Sequence, residues 1–117
     1  MLVALIAVPV LAAGPNASKS VGSSEDGTAV VNISVTAAGQ SVYGVTIKDA
    51  SGSIKDIAAP EGWVGITDGA DVIFRTGEKP IRAGGSLTFR LHTTNEGGSL
   101  SISFRDKVSP IGSTQSL

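Results

Sequence analysis

The chain predicts an all-β fold, an antiparallel sandwich of seven or eight short strands, and three observations carry that expectation. Apolar residues alternate with polar ones over several windows, the period of a strand with one buried face. Turn-forming clusters of Gly, Asp, Ser and Asn separate those windows. Fifteen Gly and a single Met in 117 residues go with an abundance of Ser, Thr, Val and Ile, a composition that suits strands better than helices. No window shows a helical period. A closed barrel is the alternative arrangement.

Residues 1–13, MLVALIAVPVLAA, are apolar and uncharged. They are too short for a membrane-spanning helix, which needs about 20 residues, and match the apolar stretch of a secretory signal peptide, about 7–15 residues. Val10 and Ala12 are small or compact, so cleavage is expected after Ala12 or Ala13. No basic residue precedes Leu2, so either the true start lies upstream or the segment has another task. Those tasks are a membrane foot, whose helix Pro9 would break, and a retained strand inserted into a neighbouring subunit. Membrane contact is expected only through this segment. Residues 14–28 (GPNASKSVGSSEDGT) are polar and rich in Gly and Ser, and are expected as a linker or arm. The sandwich is expected over residues 29–117.

Within it, Val31, Ile33, Val35 and Ala37 share one face of AVVNISVTA. Tyr43, Val45 and Ile47 share a face of SVYGVTIKD. Short strands are expected at residues 54–57 and 72–75. Leu87, Phe89 and Leu91 alternate with Thr88, Arg90 and His92, and Leu100, Ile102 and Phe104 with Ser101, Ser103 and Arg105. Asn95-Glu96-Gly97-Gly98 is expected to close a hairpin between those last two strands. Charged pairs such as Lys48-Asp49 and Asp68/Asp71 are expected in loops, because unpaired charge cannot share the core.

Two short patterns carry a resemblance. Ala59-Pro60-Glu61-Gly62-Trp63 reads as a Pro-x-Gly-Trp entry into a strand, and Pro80-Ile81-Arg82-Ala83-Gly84-Gly85-Ser86-Leu87-Thr88-Phe89 as proline, then glycine-serine, then an apolar strand. This resembles secreted immunoglobulin-like modules of the NEW3 and CARDB types, over residues 59–104. The resemblance implies an immunoglobulin-like sandwich serving as a spacer, adhesive part or non-catalytic appendage at a cell surface. The residues themselves place Trp63 in the core with its indole N–H bonded to backbone.

Several function classes are disfavoured. Nine basic residues against ten acidic ones leave a net charge of −1, and with the signs scattered no basic stripe exists to bind nucleic acid. Such low net charge also permits self-association. With no Cys and one His, His92, thiolate zinc sites and Cys–His pairs are excluded. No G-x-S-x-G nucleophile turn occurs, and no enzyme is expected. No cofactor is expected either, since no helix follows the Gly-rich turns to make a phosphate loop. Asp49–Gly52 and Asp68–Asp71 place oxygen ligands on turns, but each loop offers fewer than the 6–8 or so that calcium takes. Among the aromatics only Trp63 could serve as a sugar platform, and a lone Trp belongs more often to the core. Asn16-Ala17-Ser18 and Asn32-Ile33-Ser34 are sequons, which makes Asn16 and Asn32 candidate glycosylation sites. The leading expectation is therefore a non-catalytic extracytoplasmic structural or protein-interaction domain. The alternatives are a filament subunit assembled through its N-terminal segment and a carbohydrate-binding accessory module.

Overall fold

The computed structural model describes residues 14–23, 28–50, 52–94 and 99–117; the expected leader, residues 1–13, lies outside them. The described residues form nine strands: β1 (Asn16–Ser23), β2 (Thr28–Thr36), β3 (Gly44–Asp49), β4 (Ile54–Ala58), β5 (Val64–Asp68), β6 (Asp71–Arg75), β7 (Ser86–Thr94), β8 (Leu100–Arg105) and β9 (Pro110–Ser116). They pair into a four-stranded sheet, β1-β2-β7-β4, and a five-stranded sheet, β5-β6-β3-β8-β9. Every pairing is antiparallel.

Alternation puts one face of each central strand into the space between the sheets. β2 sends in Val31, Ile33 and Val35, and β7 sends in Phe89 and Leu91. From the opposite sheet come Val45 and Ile47 of β3, Val72 and Phe74 of β6, and Ile102 and Phe104 of β8. Each such side chain contributes about 1.5–3 kcal/mol on leaving water. The rings of Phe74 and Phe89 meet with centroids 4.8 Å apart, and Trp63 meets Phe89 edge-on at 5.1 Å. Offset and edge-on arrangements of this kind suit the ring quadrupoles.

Four features differ from the expectations above. The expected linker contains β1, paired along its whole length with β2, with Asn16 opposite Thr36 and Ser23 opposite Ala29. Its Ser, Lys and Gly residues hide it from a hydrophobicity pattern, and it forms because an outer strand needs only backbone partners and one neighbour. The expected hairpin between β7 and β8 does not exist, since β7 lies in the four-stranded sheet and β8 in the five-stranded one. Both strands are apolar on one face because each lines the core from its own side. Tyr43 does not share the buried register of Val45; Val42 is buried instead, bridged to Ile81 by backbone hydrogen bonds of 2.9 and 3.0 Å. That bridge reorients the chain just before β3. The charged residues expected in loops, Lys48, Asp49, Asp68 and Asp71, lie instead at or next to the ends of β3, β5 and β6, and Asp49 is only 2% exposed. Its carboxylate accepts from the Ile54 N–H at 2.8 Å and from the Ser53 hydroxyl at 3.2 Å, which satisfies the charge that burial would otherwise penalise.

The two sheets are joined at one side of the sandwich. Ala17 of β1 donates its N–H to Gln115 Oε1 of β9 at 2.9 Å. Beside that bond the backbones of Gly14 and Gly112 approach so closely that a Cβ on Gly14 would sit 3.0 Å from Gly112 Cα.

Candidate interaction surface

The residues singled out by sequence scatter over the molecule. Trp63 is 6% exposed, and its Nε1–H donates to the Lys79 carbonyl at 2.8 Å. Only an edge of the indole borders an open depression of about 450 Å³ walled by Glu61, Glu78, Lys79 and Arg82. Phe74, Phe89 and Phe104 are buried, and the Lys107 ammonium stands 5.4 Å from the centre of the Tyr43 ring. Of the five aromatics only Tyr43 is not buried, and it is half-buried.

The two acidic turns come together at one end of the five-stranded sheet, where Asp49 N–H donates to the Ala70 carbonyl at 3.2 Å. They do not combine into a metal site: among the described residues no group of three or more His, Cys, Asp and Glu could hold an ion. His92 sits on the outer face of β7, opposite Val30 on one side and Asp56 on the other, and its buried Nδ1 makes no hydrogen bond among the described residues. Asn16 is exposed at the start of β1. Asn32 is half-buried on the outer face of β2, where its side-chain oxygen faces Arg90 Nε at 3.4 Å.

A different region stands out, at the edge β5. A sandwich has exposed outer strands whose unpaired backbone groups invite another strand, and proteins blunt such edges with charge, proline or bulges. Three of the four edges here carry those devices. β1 points Lys19 toward the core side, since Lys19 lies opposite the buried Ile33. β4 is bulged between Ile54 and Asp56 and exposes Lys55 and Asp56. β9 begins with Pro110 and loses register between Ile102 and Phe104 of its neighbour. β5 has no bulge, proline or cation, and its one charge, Asp68, stands at its very end. Its sequence is Val-Gly-Ile-Thr-Asp, with regular pairing to β6 from Val64 opposite Arg75 to Asp68 opposite Asp71.

The face that β5 shows to solvent is also the apolar one. Among the described residues the large apolar side chains left exposed are Val21, Val64, Ile66 and Val108. Val64 and Ile66 fall on one strand and one face, at 62% and 49% exposure. Ile73 of β6 lies directly opposite Ile66, on the side away from the buried Val72 and Phe74. Gly65 is the cause. It occupies the inward position, where a Cβ would stand 2.8 Å from Ile57 Cδ1 and 3.0 Å from the Phe74 ring. With the inward site closed to any side chain, the two branched residues flanking it project outward. The apolar row Val64–Ile66–Ile73 is bounded by Arg75 at one end and by Asp68 and Asp71 at the other. The outer face of the four-stranded sheet, by contrast, presents Ser18, Ser20, Asn32, Ser34, Thr88 and Arg90.

Sequence reasoning missed this edge because alternation shows that two residues share a face without saying which face is inside. The Val-Gly-Ile triplet was the available signal: a glycine between two branched residues is the inward position when backbone or ring crowds it.

With this geometry the comparisons with solved structures agree on the architecture. A protein from Nocardia farcinica described as having an immunoglobulin-like fold superimposes with a TM-score of 0.65 at 12% identity, over 86% of this chain and 81% of that one. The fold is immunoglobulin-like. A family GH20 exo-β-N-acetylglucosaminidase from Vibrio harveyi matches with a TM-score of 0.55 at 11% identity, covering 89% of this chain but 17% of the enzyme's. At these identities the likeness is one of fold. No family model matches the chain, and no curated protein matches it significantly.

Proposed function

We propose that this domain is a non-catalytic recognition module of the cell exterior that engages protein through the edge strand β5. One observation carries the reading: β5 is the one sheet edge without a bulge, proline or projecting cation, and it presents Val64 and Ile66 to solvent beside Ile73. A strand laid against it would gain backbone hydrogen bonds from the edge and apolar contact from the row above, the two components of strand addition. The immunoglobulin-like fold supports the reading, since its rigid sheets hold such an edge in a fixed geometry. Export is supported by the apolar residues 1–13.

The carbohydrate alternative is the weaker one, because four of the five aromatics are buried and Tyr43 is half-buried. The test is a photo-reactive amino acid placed at position 66 in the producing cell, with position 55 on the protected edge β4 as the control. A discrete protein adduct at 66 and none at 55 is expected. No adduct at 66 under conditions where the folded domain accumulates would end the proposal.

A further inference from the structure

We infer that the partner at β5 is a second copy of this chain, joined by antiparallel pairing of the two β5 strands about Ile66. The inference rests on the reading of β5 as the binding edge and names its occupant.

The argument is one of register and charge. A two-fold axis through Ile66 sets Ile66 against its own mate and Val64 against Asp68 of the second copy. The apolar rows then merge, Ile73–Ile66 meeting Ile66–Ile73, into one stripe across a continuous ten-stranded sheet. The charges fall into place in the same operation. Within one copy Asp68 lies opposite Asp71, and like charges directly opposed across strands repel; Lys48 of β3 stands on the far side of Asp71, which leaves Asp68 as the acid at the open edge. Arg75 lies opposite Val64 at the other end of the hairpin. Pairing brings Asp68 of the second copy to the far side of Val64, two strand spacings or roughly 10 Å from Arg75 between Cα atoms. An extended arginine and an aspartate span that gap over the Val64 side chain. Two-fold symmetry makes the contact twice, and each acidic end of one hairpin meets the basic end of the other. An isologous interface must be self-complementary in this way. A parallel arrangement would set acid against acid. A net charge of −1 leaves little long-range repulsion to oppose the approach of two copies.

Five residues of edge make a small interface, so a concentration-dependent dimer is expected. Sedimentation of the purified chain should show its mass rising from one chain toward two across the micromolar to millimolar range. Asp68→Arg and Arg75→Asp should each remain monomeric at concentrations where the wild type is half dimeric, because each places like charges in both symmetry-related contacts. An equimolar mixture of the two should recover a heterodimer, since both contacts then join opposite charges. That recovery separates the inference from damage to folding, which mixing would not repair. A wild-type chain that stays monomeric throughout, or a mixture that fails to recover dimer, overturns the second-copy inference. If a monomeric wild type still yields a photo-adduct at position 66 with another protein, the edge reading survives and only its occupant is wrong. If no adduct forms, both fall.

Discussion

Asp106 shows how much one exposed side chain can organise. Its carboxylate accepts from the backbone N–H groups of Val108 and Ser109, both at 2.7 Å, and so shapes the turn between β8 and β9. Those donors, with Ser109 the stronger and Arg105 helping, hold its pKa below the ordinary 3.8. A carboxylate depressed on folding adds stability above the unfolded value, and that contribution is lost as pH falls through the folded value. Urea midpoints measured against pH should therefore fall less steeply in acid for Asp106→Asn than for the wild type; equal slopes would count against this role. Trp63 combines ring packing on Phe89 with the bond from its Nε1–H to the Lys79 carbonyl. Trp63→Phe keeps most of the ring and leaves that carbonyl without its donor, at a cost of about 1–3 kcal/mol in denaturant unfolding. The wild-type indole should fluoresce at short wavelength and resist aqueous quenchers. Gly65 admits no side chain where it faces Ile57 and Phe74. Gly65→Val should cost about 1–3 kcal/mol by overpacking and should displace β5.

At the scale of the strand, edges and centres follow different rules. The central strands β2, β3, β7 and β8 were legible from alternation, because each has one face in the core and neighbours on both sides. β1 was not, because its side chains are polar and its stability comes from pairing with β2 and from the Gln115 bond to β9. Lys19 marks its inner face and keeps the edge soluble. Lys19→Val would turn that edge into an apolar one, and light scattering should show more aggregation than for the wild type at equal concentration. β4 was legible as a short strand, but its bulge depends on its fit to β7. β5 was entered correctly at Trp63, yet its outward face depends on what crowds Gly65 from the opposite sheet.

For the whole molecule, the sandwich is held by rings and branched chains that meet between the sheets. Phe89 touches both Phe74 and Trp63 and so links the two layers. Phe89→Ala should cost about 3–5 kcal/mol, a large share of the roughly 5–15 kcal/mol typical of a domain. The variant should unfold at markedly lower denaturant or fail to accumulate. The two sides of the sandwich differ in a way that bears on function. One is tied shut by Ala17, Gln115 and the close approach of Gly14 to Gly112. The other leaves β4 guarded by charge and a bulge, and β5 open.

The local pattern of side chains alone determined that the chain is all-β, that its turns fall at Gly- and Asp-rich clusters, and that Trp63, Phe89, Ile102 and Phe104 belong inside. Those features follow from the two-residue repeat of a strand and from backbone preferences, both of which act between near neighbours in the chain. Only the tertiary structure decided that β7 and β8 belong to different sheets, that Asp49 is buried with its donors, and that Val64 and Ile66 face water. These outcomes turn on contacts between strands, such as Gly65 against Ile57 of the other sheet and Phe74 of the neighbouring strand, and an alternating pattern is the same whichever of its two faces is covered.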